Sequence, residues 1–370
     1  MLLGRFSLSL LFLKLVMTTS FGGCAVRRHC TRLAFGGTGT TTLSSSSSSS
    51  RSSSTTSAVM KNCLYRIRDV NNMSTDIANS LCSFVIDGVP IGKVRPAMVR
   101  LLCETGPDVF VVTKNNDNNN GNDILTLQDK IDKTCEARTE AVDTVMRRLC
   151  DAGVVRGWRD EHYPLAATFY DQPLLTVERA AVPLLGALEY GVHMNGIVVP
   201  QQQKDDTQQQ PRMWMARRAK DKSKYPGMVD HIVAGGQPAG WSLWENAVKE
   251  CQEEAGIPPE MAREGLVPIG AVSYATYSPK SDTITRAVLF NYDLYLPPDF
   301  VPKPTDGEVE EFFQWTVPEL FASLDPNFPD PLKPNCYLPV IDWLMRQGHL
   351  SPDTPGYLDV LRELRNGDCQ

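Results

Sequence analysis

The stretch WENAVKECQEEAGI, from Trp244 to Ile257, constrains this chain more than any other. Ala247, Val248, Cys251 and Ala255 recur at helical spacing and make an apolar stripe, so the segment reads as a core-facing helix from about Ser242 to Ala255. Glu250, Glu253 and Glu254 fall at i, i+3 and i+4, which puts three carboxylates on one face of that helix. Like charges at this spacing cost a bare helix roughly 0.2–0.5 kcal/mol per pair, and a solvated face would interleave lysines. A divalent cation removes the repulsion, and oxygen-only ligands suit Mg2+ or Mn2+. For an isolated ExxEE a solvated acidic face is the ordinary alternative. Two neighbouring features favour the metal. Gly256 can close the helix in the left-handed conformation, and Ala234-Gly235-Gly236-Gln237-Pro238 follows the strand-like DHIV, where backbone must pass close to something else.

A metal would also supply positive charge that the body lacks. The 370 residues carry a formal net charge of -6. The acid-free run before Asp69 holds basic residues from Arg5 to Arg68, so the remainder is more acidic than the whole. Such a body does not read as a nucleic-acid binder, whose affinity rests on clustered Lys and Arg. The ten cysteines show no CxxC pair and no zinc-finger spacing, which suits free thiols in a reducing compartment.

Residues 1–59 read as a targeting and low-complexity segment. Leu2 to Val16 is apolar but broken by Arg5 and Lys14, too short and charged for a membrane span. The Ser/Thr-rich, Arg-bearing, acid-free stretch that follows has transit-peptide composition. A plastid is the expected destination and a mitochondrion the second, with cytoplasm if translation starts at Met17 or Met60, and no membrane association is expected of the mature form. No fold is expected before about Met60.

Beyond it, residues 60–184 are expected to form a smaller α+β N-terminal domain. FVIDGVPIGKVRPAMVRLL reads as a strand pair leading into a helix, and KIDKTCEARTEAVDTVMRRLCDAG as a helix burying Ile131, Ala137, Ala141, Val145 and Leu149. Two polar interruptions, Lys114 to Asp123 and Gln201 to Gln210, read as surface loops. From about residue 185 to 347 strands alternate with helices: Gly191 to Val199, MWMARRA, DHIVAGG, the acidic helix, LVPIGAVSYATYS, ITRAVLFNYDLYL and FFQWT, then helices near Pro318 and Leu338. That order describes an α/β/α sandwich on a mixed sheet. Residues 348–370 read as a helical tail.

AGGQPAGWSLWENAVKECQEEAGI resembles the Nudix box, GX5EX7REUXEEXGU with U aliphatic. Lys249 to Ile257 match its second half, with Lys for Arg and Cys251 for the aliphatic residue; Gly235 holds the glycine position, and Trp241 stands where the pattern has Glu. MARRAKDKSKYPGMVDHIVAGGQP, VPIGAVSY and LPPDFVPKPTDGEVEEFF, with ERAAVPLLGALEYGVHMNG before them, are similar to plant and fungal Nudix proteins related by name to thiamin pyrophosphokinase. The resemblance implies a Nudix-type fold and a Mg2+- or Mn2+-dependent hydrolase that cleaves a small phosphorylated substrate at its diphosphate. The implied substrate is a damaged (oxo or oxy) thiamin diphosphate, with oxidised nucleoside diphosphates such as 8-oxo-dGDP as the broader possibility. A non-catalytic scaffold that binds thiamin phosphates is the rival from another class. A kinase is not expected, because no GxxxxGK[ST] loop occurs. A homodimer is possible.

On this reading Glu250, Glu253 and Glu254 hold the metal, with the Gly235 carbonyl as a further ligand by family pattern. One of them, or Glu308 or Glu311 in GEVEEF, orients or deprotonates the water. Arg217 and Arg218 are the candidates to meet the diphosphate, ahead of Lys220 and Lys224, with charged surface as the alternative for each. Gly236 and Trp241 complete the substrate-side set. Trp244, Tyr274 and Tyr277 stand open between ring stacking and packing, and His231 reads as a packed strand residue.

Overall fold

In the computed structural model, which describes residues 49–114, 123–200, 210–222 and 224–367, an N-terminal α+β module leads into a mixed sheet with helices on both faces. The chain opens on α1 (Ser49–Val70), then α2 (Thr75–Ser80). The strand pair follows as β1 (Cys82–Ile86) and β2 (Val89–Val94), joined at Asp87-Gly88, both with positive φ, as a tight antiparallel hairpin requires. Next come α3 (Pro96–Thr105), with Pro in its first turn, then β3 (Phe110–Thr113), β4 (Ile124–Leu127) and α4 (Cys135–Asp151). The module ends on the hairpin β5 (His162–Leu165) and β6 (Leu175–Glu178), a 3-10 turn (Arg179–Ala181) and α5 (Val182–Leu185). Its four-stranded sheet has the order β2-β1-β4-β3, and its core joins Phe84, Phe110, Leu125, Met146 and Leu175.

The second part runs β7 (Leu188–Val198), β8 (Arg212–Arg218), β9 (Val229–His231), β10 (Val233–Gly236), α6 (Leu243–Ala255), α7 (Pro259–Gly265), β11 (Leu266–Ser278), β12 (Thr283–Tyr295), β13 (Val309–Thr316), α8 (Val317–Ser323), α9 (Tyr337–Arg346) and α10 (Tyr357–Glu363). The sheet order is β11-β12-β7-β8-β13, with β12 and β7 parallel and the other pairs antiparallel. Side chains alternate between its faces. Val192, Met194, Val198 and Trp214 meet α6, while Ile197, Met213 and Met215 meet α9 and α1. This is the α/β/α sandwich the pattern of elements implied.

Three expectations need correction. Helical structure begins at Ser49, ahead of Met60, and α1 does not join the N-terminal core. Met60, Cys63, Ile67 and Val70 are buried against α9, α10 and the second sheet, and Arg66 donates to the carbonyls of Ser323 and Leu324 while lying over the Tyr337 ring. DHIVAGG is two strands: β9 pairs with β8, and β10 crosses to β7. In α4 the buried stripe is Arg138, Val142, Val145, Met146 and Leu149, rotated from the expected one because Arg138 turns inward to meet Asp87. The leader before residue 49 and most of both polar interruptions lie outside the described residues. Among the described residues no helix is long and apolar enough to cross a membrane.

Candidate active site

Local chemistry fixes the acidic helix at both ends. Ser242 accepts from the Glu245 amide and the Glu245 carboxylate accepts in return from Ser242, a reciprocal cap that satisfies donors a helix start otherwise leaves open. Gly256 ends it at φ +61°, a left-handed conformation natural to glycine. Between these stops Ala247, Val248, Cys251 and Ala255 are buried as expected.

The three glutamates do not share one environment. Glu254 is only 9% exposed, and its carboxylate accepts from the Ala234 amide at 3.0 Å. Glu250 lies so close under β10 that a Cβ on Gly235 would sit 2.3 Å from its Cδ, so any larger residue there would displace the carboxylate. Glu253 stands at the rim, where Lys249 Nζ reaches it at 2.6 Å and Glu250 at 3.2 Å. Burial pushes the Glu250 carboxyl above its ordinary range. It pushes Glu254 up to about 8, with Glu250 as the next cause and Asp230 and Glu308 adding to it. Two sequestered carboxylates on one helix face, of which Glu254 alone is bonded to a backbone amide, offer oxygen ligands that fit a hard divalent cation.

Glu308 borders this cradle. Burial alone would raise its carboxyl, but Lys222 Nζ at 2.6 Å, with Arg159 and Arg179, holds it below the usual range. Glu311 lies elsewhere: it is on β13 opposite Arg217 and pairs with that guanidinium at 3.5 Å. The two arginines expected to meet a diphosphate are already engaged. Arg217 makes two bonds to Asp330, at 2.6 and 2.8 Å, and Arg218 donates to the buried Asp230 at 2.7 Å. Trp241 is 47% exposed with Lys249 over its ring, and Trp244 lies against Tyr292. His231 is buried beside His193, their Nδ1 atoms 2.9 Å apart, and burial lowers it to about 4. With Cys336 these form a buried group of possible ligand atoms within 4.8 Å of one another, drawn from three distant segments.

The N-terminal module reaches this site. The His162 carbonyl accepts from the Ala239 amide at 3.3 Å, and Tyr163 packs its hydroxyl against Gly236. A Cβ on Gly236 would lie 1.5 Å from that oxygen, and Tyr163 is 3% exposed with no room to withdraw. Gly236→Ala is therefore expected to lower stability by about 1–3 kcal/mol. Adding Tyr163→Ala should remove that increment; equal costs of Gly236→Ala in both backgrounds, in urea unfolding, would refute the contact.

Residues 196–336 match the family description NUDIX domain, and residues 62–189 match a Domain of unknown function (DUF4743). The chain is 40% identical over 301 residues to Nudix hydrolase 20, chloroplastic, of Arabidopsis thaliana, covering 80% of this chain and 76% of that one. It is 39% identical over 287 residues to Nudix hydrolase 24, chloroplastic, of the same plant, covering 77% and 73%. An uncharacterized protein of Saccharomyces cerevisiae is 33% identical over 240 residues, covering 61% and 67%.

Proposed function

This chain belongs to the Nudix hydrolases, which act on phosphoanhydride bonds, and from that premise we propose that it converts a damaged thiamin diphosphate of the oxo or oxy type to its monophosphate. The observation that carries the metal-dependent hydrolase part of this reading is the pair Glu250 and Glu254, drawn in beside Gly235 and Ala234 respectively, with both carboxyls pushed up by burial. Glu250, Glu254 and, at the rim, Glu253 would hold Mg2+ or Mn2+, with the Gly235 carbonyl as a further oxygen. When bound, the ion offsets the charge of the phosphate oxygens.

In the proposed chemistry a water oxygen forms a bond to one phosphorus as the bridging P–O bond of the diphosphate breaks, giving the monophosphate and inorganic phosphate, and the proton of the water passes to solvent. Glu308, whose carboxyl its cationic neighbours hold below the usual range, would accept a hydrogen bond from the attacking water and so orient it. The Trp241 ring and the aromatic group of Tyr190, Phe290 and Phe169, whose centroids are 4.8–6.2 Å apart, offer faces for a heteroaromatic ring. The chloroplastic names of the two plant relatives support a plastid as the place of action.

The test is product-identified hydrolysis of oxothiamin diphosphate, thiamin diphosphate and 8-oxo-dGDP with Mg2+ or Mn2+, comparing wild type with Glu253→Gln. The expected result is release of phosphate, fastest from oxothiamin diphosphate and lost in the variant. Preference for 8-oxo-dGDP would replace the thiamin reading, and binding without turnover would make the protein a scaffold.

A further inference from the structure

Arg217 and Arg218 are tied to Asp330 and Asp230, yet an acidic cleft needs cations if a polyanion is to enter it. The N-terminal module supplies two. Arg159 Nη1 reaches Glu308 at 3.4 Å, and Arg179 Nη1 reaches Glu161 at 2.8 Å while its guanidinium lies 5.6 Å from the centre of the Tyr163 ring. Both are 38% exposed, and each is held through one nitrogen by a carboxylate. A guanidinium carries five N–H donors in a fixed fork, so each retains the geometry to bind a phosphate.

These two side chains are held in a built array. The Glu178 carboxylate is 1% exposed and accepts from three backbone amides: Arg159 at 3.1 Å, Glu161 at 3.2 Å and Ala180 at 3.0 Å. The Arg179 amide donates to the Glu161 carbonyl at 2.8 Å. One buried carboxylate thus locks together the two segments that carry Arg159 and Arg179. That array meets the cradle: Arg159 Nη1 lies 3.4 Å from Glu308 at its border, and the His162 carbonyl accepts from the Ala239 amide of the glycine loop at 3.3 Å. Tyr163, between them, rests on Gly236 of the glycine loop.

The geometry points to Arg159 and Arg179 as the clamp for the diphosphate of the substrate, which makes the N-terminal module part of the hydrolase site. This inference rests on the phosphoanhydride reading of the cradle. The guanidiniums exchange a carboxylate for phosphate oxygens when substrate enters, and Glu178 fixes the backbone from which they reach.

The probe is inorganic pyrophosphate, titrated calorimetrically in the presence of Mg2+ into the full chain. Arg179→Met and Arg159→Met are each expected to weaken its binding about tenfold or more, with Arg179→Lys intermediate because it keeps the charge and loses the fork. For any diphosphate that wild type hydrolyses, the Met variants should raise KM far more than they lower kcat. Pyrophosphate affinity unchanged in both Met variants overturns the clamp, as does wild type that binds no pyrophosphate. So does a loss of binding in Arg179→Met matched by Arg179→Lys and by a fall in Tm, which marks a structural ion pair. Hydrolysis by wild type is read separately and decides the parent reading whatever the titration shows.

Discussion

Exchange of Glu254 for Gln is expected to slow hydrolysis on the order of a thousandfold or more and, in the same protein, to flatten the pH dependence of its metal-free stability. The first effect follows from removing one carboxylate of the proposed cation site, whose charge compensation would be worth several kcal/mol in the transition state, at about 1.4 kcal/mol per tenfold. The second follows from burial. The folded chain keeps the Glu254 proton to about pH 8, whereas an unfolded chain releases it near 4.3. Between those limits the unfolded state binds fewer protons, so stability falls as pH rises through the window and levels above it. Glutamine has no proton to release and can still accept from the Ala234 amide. Urea unfolding in EDTA across that window checks the slope, and phosphate release checks the rate. Glu253→Gln is the contrast, because a rim carboxylate already paired with Lys249 should cost activity and leave the slope alone. An unchanged slope in Glu254→Gln would mean that the carboxyl is not buried as described.

How much of this could be read in advance depended on whether the signal was local. The acidic helix, its left-handed stop and its apolar stripe all lie within one short segment, and each is present in the structure. The Asp87-Gly88 hairpin is equally local. Segments that recognise one another across the chain were hidden. Met60, Cys63, Ile67 and Val70 have helical spacing, but the serine run before them has no propensity that announces a helix, and nothing in α1 says that its partners are α9 and α10. Arg159, Glu161 and Arg179 lie in charged surface-like sequence far upstream of the motif. Only the fold brings them beside Glu250 and Glu308. Arg217 and Arg218 illustrate the converse. Their place ahead of the glycine loop suggested a ligand, and their acidic partners, Asp330 and Asp230, could not be paired with them from spacing alone.

Asp230→Asn is expected to remove on the order of 3 kcal/mol of stability, because it leaves the partly buried Arg218 and Lys333 without their buried counter-charge. Asp230 is 4% exposed and accepts from Arg218 on β8 at 2.7 Å, from Lys333 Nζ at 3.0 Å and from the Cys336 thiol at 2.7 Å, as well as from the His231 amide. It therefore joins β8, β9 and the turn into α9 under the sheet, and burial keeps the Cys336 thiol protonated as a donor. Burial opposes ionisation of Asp230, but Lys333 and Arg218 outweigh it and hold the carboxyl well below its ordinary range. A depressed carboxylate stabilises the fold at pH values above the unfolded value, near 3.9, and that contribution fades as pH falls below it. The gap between wild type and Asp230→Asn should then be full at neutral pH and narrow progressively below about pH 4. Urea unfolding at neutral pH and at successively lower pH measures it. A neutral-pH gap under about 1 kcal/mol, the scale of an exposed ion pair, would show that Arg218 and Lys333 find water when their partner is lost.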